Sequence, residues 1–591
     1  MKKSLKLTAV LLLCSIFAST ACSALKPAQN QPEIQQTTVA TSETAKPVQA
    51  SNDSWDQELP SEEKEPVKSN DIVILVTSDV HCCPDKGFGY AGLYRIREKL
   101  RNEGCEVLLV DDGDAIEGHG ELFGTFDQGY TVIQMMNKMG YDVAIPGNHD
   151  FVYGPDRLIQ LAQVMKFNYL SANLSRSGTR IFKPYVIKQV NGKKIAFIGI
   201  TTPRSMGYYN SRSLFKNENG NVIYDFRDGG NGQRLATTVQ ANVNYCRQQG
   251  ADYVFLVSHI GQAKKYKSYE NISYYIGKTR GIDAVLDGHS HDSYRYEFPN
   301  ADGKMIPRIG IGSKLSRIGF VRISAETGAI EVGLYFWTNS TPMSEVFCIK
   351  NEMSEEVDKA MDYYEKTFYG KIGTNRNKLI CTDPQVTDGE GKAVSLANRR
   401  ETNMGDFCAD AFRMCTGSDV AFICADKFSE SLEPGDVSMY DLYRILPARK
   451  TVTVEATGKQ ICDALEWACR HSPSAYWGFL QVSGVSFTVN TKTKSSIKTK
   501  KGKFKEVKGQ RRVTNVRIGG QPVDPKKTYT VTSYISLIRA QDNGFTMFSD
   551  CKAVKTDNRL DFQILSDYVK DYLKGTIGDK YKTSAGRISM I

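Results

Sequence analysis

The chain has 591 residues, too many for a single hydrophobic core, so two or more domains are expected. Apolar residues make up 41% and charged residues 24%, the balance of an ordinary globular protein. A net charge of +10 is modest for this length: it favours anionic substrates or surfaces without demanding nucleic acid, and no specific nucleic-acid partner is expected.

Residues 1–22 read as an export signal. Lys2, Lys3 and Lys6 form a basic start, and 7–18 is an apolar run too short to span a bilayer comfortably. Ser19-Thr20-Ala21-Cys22 resembles a bacterial lipoprotein box. It predicts an exported chain lipidated at Cys22 and held on the outer face of the cytoplasmic membrane or at the cell surface. Secretion after Ala21, into the medium or a periplasm, is the alternative. Residues 23–70 are rich in Gln, Thr, Ser, Pro, Glu and Ala and cannot bury enough apolar surface to fold, which predicts a flexible tether. No later run of about 20 apolar residues follows. Of fourteen cysteines, Cys14 leaves with the signal and Cys22 would carry the lipid. The other twelve show no CxxC or zinc-finger spacing, and disulfides or free thiols fit equally well.

From Asp71 onward short β-branched runs alternate with helical stretches: 72–77, 107–110, 142–145, 195–200, 253–257 and 282–286. This predicts α/β layers. A charged amphipathic stretch at 344–369 predicts a helix joining two domains. The expected division is a first α/β domain at 71–340, a linker helix at 341–370 and a second α/β domain at 371–591. Segment 492–512 carries ten Lys or Arg against one acid, Glu506, between two expected strands. A solvated hairpin tip is the reading such charge runs favour; a patch for an anionic polymer or membrane surface is the alternative.

Five of the β-like runs end in potential metal ligands: Asp79-Val80-His81, Asp111-Asp112-Gly113-Asp114, Gly147-Asn148-His149-Asp150, Ser258-His259 and Gly288-His289-Ser290-His291. In open α/β sheets ligands bind at the carboxyl ends of strands, so these ends are expected to converge. Five of only seven histidines lie in these clusters, which packing histidines would not do. Of the other two, His119 could face the site or sit in a loop, and His471 is expected to be structural. The mixed Asp, His and Asn set suits two divalent ions, with Zn, Mn, Fe and Co all compatible. Such a pair, about 3.5–4 Å apart, would serve ester hydrolysis at phosphorus. The absence of Gly-x-x-x-x-Gly-Lys-Ser/Thr argues against a P-loop NTPase.

In this order the motifs resemble those of the calcineurin-like metallophosphoesterases, in the branch of bacterial 5'-nucleotidases and 2',3'-cyclic-nucleotide phosphodiesterases. Tyr169-Leu-Ser-Ala-Asn-Leu174, Gly312-Ser-Lys-Leu-Ser316, Arg400-Glu-Thr-Asn-Met-Gly405 and Phe479-Leu-Gln-Val-Ser-Gly484 extend the likeness over nearly all of the chain after residue 70. The resemblance implies a four-layer α/β/β/α catalytic domain followed by a C-terminal α/β substrate domain that moves on a hinge. It implies a first metal on Asp79, His81 and His291, a second on Asn148, His259 and His289, and Asp114 between them. His149 would stabilise the transition state or help the leaving group. Relatives orient that histidine with an aspartate three residues on; here that position is Val152, and Asp150 is the candidate substitute. Cys82 and Cys83 stand where relatives carry glycine, and packing is favoured over a role as soft ligands.

The same family binds its substrate base with an Arg before Glu-x-Asn, an Asn-Gly-Gly-Gly-x-Arg loop and two aromatic rings. Arg400 and Asn403 match the first element. The loop is replaced by Cys424-Ala-Asp-Lys-Phe-Ser429, and the ring positions hold Ala448 and Leu537. Phe428, Tyr534 and Phe545 are candidate replacement rings, and Arg400, Asn403 and Phe428 are the substrate-binding residues expected. The substrate is then a small phosphoester, most simply a nucleotide. A non-nucleotide phosphoester is one alternative, and a surface binding protein with a structural metal site is another.

Overall fold

The computed structural model describes residues 69–591, except 118–122, 126, 208–214, 217–220, 264, 337–349 and 388–392. The expected signal, Cys22 and most of the tether lie outside the described residues, as does His119.

In chain order the first half has strands β1 (Ile72–Thr77), β2 (Glu106–Asp111), β3 (Val143–Ala144), β4 (Asn168–Tyr169), β5 (Tyr185–Val190), β6 (Lys193–Thr201), β7 (Tyr253–His259), β8 (Ala284–Asp287), β9 (Ser293–Pro299), β10 (Met305–Ile311), β11 (Arg317–Ile323) and β12 (Ile330–Phe336). They form two six-stranded sheets, ordered β12-β11-β1-β2-β3-β4 and β9-β10-β8-β7-β6-β5. Strands β1 to β4 are parallel, as are β6, β7, β8 and β10. Parallel strands need cover on both faces, and Ile-Val-Ile-Leu-Val-Thr of β1 is buried along its whole length.

The two sheets pack face to face. Ile74, Val76, Leu108 and Val110 of the first meet Phe197, Phe255, Val257 and Leu286 of the second in one apolar layer. Helix α1 (Gly89–Asn102) turns Leu93, Ile96 and Leu100 inward at helical spacing and covers the outside of the first sheet, beside α2 (Tyr130–Met139). Helix α3 (Gln233–Gln248) covers the second sheet through Leu235, Val239, Val243 and Cys246. The result is the four-layer α/β/β/α arrangement expected.

Helix α4 (Glu352–Tyr369) starts at Asn351, whose Oδ1 accepts from the backbone N–H groups of Met353 and Ser354. It buries Met353, Val357, Tyr364 and Phe368. Tyr364 meets Phe123 of the first half at 5.7 Å between ring centroids, and Phe368 meets Phe562 of the second half at 5.7 Å. One apolar cluster therefore runs from the outer face of the first sheet through this helix into the second half. Two polar contacts join the halves as well: Gln128 Nε2 donates to Asn558 O at 2.7 Å, and Lys450 Nζ to Tyr153 O at 2.8 Å.

The second half is built on a five-stranded sheet in the order Leu480–Ser483, Val420–Cys424, Thr528–Tyr534, Lys450–Thr457, Ala553–Leu560. Helix α5 (Asn403–Thr416) lies against it. The basic segment forms a two-stranded ribbon, Ile497–Lys500 and Lys503–Val507, with its lysines exposed. It is not solvated throughout. Arg512 is only 4% exposed and donates to the carbonyls of Cys469, Arg470, Ser472 and Thr491, so its charge holds the fold rather than a partner.

All eleven cysteines among the described residues are free thiols. Among the described residues, no helix is long and apolar enough to cross a membrane.

Candidate metal centre

Strand register brings the expected clusters to one level. Thr77 pairs with Asp111 and Asp111 with Ala144 in the first sheet, and Ser258 pairs with Asp287 in the second. Every cluster then starts just beyond the same edge of the sandwich. The chain leaves these strands through tight turns, and six non-glycine residues there take left-handed backbone: Asp79 (φ 51°), His81 (φ 53°), Cys82 (φ 54°), Asp114 (φ 59°), His289 (φ 73°) and His291 (φ 59°). Such conformations cost on the order of 1–3 kcal/mol each and persist where the surroundings enforce them. Close approach requires glycine at Gly147, where a Cβ would lie 2.1 Å from Asp114 Oδ1.

Three overlapping groups of potential ligand atoms result, each within 4.8 Å: Asp79, His81 and His291; His81, Asp114 and His149; and Asp114, His259 and His289. Asp79 Oδ2 is taken up by Ser78 Oγ at 2.6 Å and the backbone N–H of His289 at 3.0 Å. Its Oδ1, buried and without a hydrogen bond, lies 3.2 Å from His291 Nε2 and 3.7 Å from His81 Nε2. Asp114 Oδ1 accepts the backbone N–H of His149 at 2.6 Å, while Oδ2 lies 2.9 Å from His259 Nε2. Asn148 is 3% exposed, and its buried Oδ1 makes no hydrogen bond.

Backbone carbonyls fix the imidazole tautomers. A carbonyl can only accept, so Nδ1 of His259 carries the proton it donates to Asp112 O at 2.6 Å. Nδ1 of His81 likewise donates to Glu117 O at 2.7 Å. Both rings thus offer an Nε2 lone pair, and Nε2 of His81 and His291 face each other at 3.0 Å. Burial of unpaired polar atoms such as Asp79 Oδ1, Asn148 Oδ1 and His259 Nε2 costs about 1–3 kcal/mol each unless something compensates. A mixed oxygen and nitrogen shell with unused lone pairs fits divalent cations.

The three neighbouring aspartates differ. Burial pushes Asp111 up to about 8, and it bonds Thr77 Oγ1 and Gly113 N. Burial also raises Asp112 well above the carboxylate range. For Asp114 burial works in the same direction, but the rings of His259, His149 and His81 hold it well below the usual range. Asp79 is also held below the usual range, against its burial, by His259 and His291, so Asp79 and Asp114 are the carboxylates kept as anions among the histidines.

Asp150, the expected orienting partner of His149, does another job. Its carboxylate accepts from the backbone N–H groups of Gly147 (2.7 Å), Asp114 (3.0 Å) and Ile116 (3.2 Å), so it braces the loops instead. The partner of His149 is Glu117, whose Oε2 meets Nδ1 at 2.5 Å. Burial disfavours the imidazolium, yet this hydrogen bond leaves His149 raised above its ordinary value. Glu117 was missed because it lies 32 residues before His149, in no motif. Cys82 and Cys83 are buried outside the three groups, and burial pushes the Cys82 thiol well up, away from a ligating thiolate.

Residues 72–293 match the calcineurin-like phosphoesterase family, and residues 382–550 match the 5'-nucleotidase C-terminal domain. The chain is a calcineurin-like phosphoesterase with a 5'-nucleotidase C-terminal domain. It is accordingly a metal-dependent phosphoester hydrolase. It is 22% identical to the trifunctional nucleotide phosphoesterase protein of Bacillus subtilis over 85% of this chain and 34% of that one, so it spans about a third of that relative's length. It is 23% identical to the 5'-nucleotidase of Vibrio parahaemolyticus over 81% of this chain and 83% of that one. It is 25% identical to the 2',3'-cyclic-nucleotide 2'-phosphodiesterase/3'-nucleotidase of Haemophilus influenzae, over 85% and 84%.

In this phosphoesterase the expected substrate residues of the second half separate. Arg400 is exposed, and its guanidinium makes no hydrogen bond or ion pair among the described residues. Asn403 is saturated instead. Its Oδ1 accepts from Ile380 N at 2.9 Å and its Nδ2 donates to Lys378 O and Tyr581 O, both at 2.9 Å, so it staples backbone rather than meeting a ligand. Phe428 is half-buried against the main core. Tyr534 and Phe545 are 1% and 0% exposed and offer no free ring face.

The loop after Cys424 is pinned shut. Lys427, 7% exposed, pairs with Asp426 Oδ2 at 2.9 Å and Asp542 Oδ2 at 3.3 Å, and Asn543 Nδ2 donates to Asp426 Oδ2 at 3.1 Å. The exposed ring beside this loop is Trp477, at 57%. Its carbonyl accepts from Asp426 N at 3.1 Å, and its neighbour Tyr476 donates its backbone N–H to Asn398 O at 2.8 Å, two residues before Arg400. Sequence alone gave no signal for Trp477, because its exposure follows from the tertiary packing.

Proposed function

We propose that the chain is an exported nucleotidase that hydrolyses phosphate esters of nucleotides with two divalent ions. Asp79, His81 and His291 would hold one ion, Asn148, His259 and His289 the other, with Asp114 shared. Zn, Mn, Fe and Co all suit this donor set. The observation that carries the reading is the meeting of unused lone pairs from both sheets around the retained anions Asp79 and Asp114. When bound, the ions supply a nucleophile from water near neutral pH and offset charge on the phosphoryl oxygens.

The protein's own groups do the rest. Asp112 O and Glu117 O keep the His259 and His81 rings in the ligating tautomer. His149, raised by Glu117, holds a proton on Nδ1 and would assist the leaving oxygen as a proton donor. Arg400 and the Trp477 ring would receive the substrate's anionic and planar parts, in place of the saturated Asn403. The nucleotide assignment draws on the names of the relatives, and the lipid anchor on the Ser19-Thr20-Ala21-Cys22 pattern.

The test is phosphate release from the purified chain with Mn or Zn added. The panel is nucleoside 5'-monophosphates, 2',3'-cyclic nucleotides, sugar phosphates and a generic aryl phosphate. Nucleotide turnover well above the generic ester supports the reading. Turnover of the generic ester or sugar phosphates alone would move the substrate outside the nucleotides, and no turnover with any metal would overturn it. Labelling with a radioactive fatty acid, lost in Cys22→Ser, tests the anchor.

A further inference from the structure

A cleft of about 880 Å³ opens on the first half between the edge strand β5 and helix α3. Arg180, Lys183 and Arg234 line it, and no carboxylate does. None of the three makes an ion pair among the described residues; Arg180 spends only Nε, on Ala172 O. Burial and the nearby guanidinium of Arg227 together hold Arg180 below its ordinary value, as expected where cations gather without a counterion. Tyr185 and Tyr245 stand side by side in the wall, their centroids 5.3 Å apart, with Tyr245 45% exposed. Asn242, 9% exposed, also lines the cleft. Its Nδ2 donates to Thr238 O at 2.7 Å, while its Oδ1 takes no hydrogen bond among the described residues.

Unpaired cations, an aromatic face and an open amide oxygen ask for a ligand with an anionic group, a planar body and a hydrogen-bond donor. The volume lies in the range that encloses a small organic molecule. The cleft is also separate from the metal centre. No residue of the three ligand groups lines it, and β6 lies between β5 and the His259-bearing β7.

We propose that this cleft is a second, non-catalytic binding site for an organic phosphate of nucleotide size, its phosphate on Arg180, Lys183 and Arg234 and its ring on Tyr245. The site lets a nucleotide bind the enzyme without entering the metal centre.

The experiment is calorimetric titration of the full chain, stripped of metal by chelation, with AMP, adenosine and inorganic phosphate. The titration is repeated on Lys183→Glu/Arg234→Glu and on Tyr245→Ala. Saturable AMP binding near one equivalent is expected, weakened at least tenfold by the charge reversals and several-fold by Tyr245→Ala. Hydrolysis of a generic aryl phosphate by the metal-loaded variants should stay within twofold of the parent, which also reports that they fold. Absence of saturable AMP binding, or binding unchanged in the charge reversals, overturns the proposal. Inorganic phosphate binding as tightly as AMP overturns the assignment of the ring. Because hydrolysis is read separately, failure here leaves the catalytic reading standing, and the converse holds.

Discussion

The carboxylate of Glu117 receives the Nδ1–H of His149, and the backbone carbonyl of Glu117 receives the Nδ1–H of His81. One residue therefore fixes the orientation of the His81 ring and of the His149 ring, the group proposed to assist the leaving oxygen. The two imidazoles stand edge to face with centroids 4.6 Å apart.

Glu117→Gln keeps an acceptor for His149 but removes the charge that favours its protonated form. General acid assistance is worth about 10²–10⁴-fold, and part of it should go. We expect kcat to fall about 10- to 100-fold for esters with poor leaving groups and far less for p-nitrophenyl phosphate, with metal content unchanged. Rates across a leaving-group series check this; a uniform loss would remove the proton-donor role.

Asp114→Asn should abolish metal-dependent turnover while far-ultraviolet circular dichroism stays native. Metal content by elemental analysis should drop below that of the parent. A variant near the parent rate would remove Asp114 as the shared ligand.

Asn403 and Trp477 should behave in opposite ways. Asn403→Ala leaves the buried Tyr581 carbonyl, and the part-buried Ile380 N–H and Lys378 carbonyl, short of a partner, and stability should fall by about 1–3 kcal/mol in denaturant unfolding, with KM little changed. Trp477→Ala should leave stability alone. It should raise KM for nucleotides about tenfold, within the 1–3 kcal/mol range of base stacking, and spare glycerol 2-phosphate, which has no ring. A Trp477 variant with unchanged nucleotide KM would send the search for the stacking ring elsewhere.

Burial pushes Lys450 down to about 8 from an ordinary value near 10.5, so the folded state loses this proton before the unfolded state does. The charged form therefore costs folding stability in full below pH 8, and the cost fades as pH rises from 8 towards 10.5. Its size is on the order of 1–3 kcal/mol. Lys450→Met should flatten the rise in stability between pH 8 and 10, read by urea unfolding at each pH; an unchanged slope would assign the rise to another group.

Which strands end together was legible in the sequence, because β-branched runs closing on Asp, His and Asn repeat five times before residue 292. The same runs gave α/β layers, and the four-layer sandwich came from the family resemblance. What stayed hidden were pairings set only in three dimensions. Asp150 looked like the partner of His149 because it is adjacent in the chain, yet it points its carboxylate at three amides, and Glu117 arrives from another strand end. Asn403 carries a family motif, but a motif does not say that both ends of the amide are already bonded. Phe545 and Tyr534 were plausible rings by residue type, and burial removes them.

The ring contacts of helix α4, Phe123 to Tyr364 and Phe368 to Phe562, have a practical side. A chain cut between residues 340 and 370 would strip one half of its cover and leave Tyr364 and Phe368, or the surfaces that receive them, facing water. Neither half is a detachable module. Calorimetry on the whole protein should give one merged unfolding peak, and either fragment expressed alone should be prone to aggregate until the missing piece is supplied in trans.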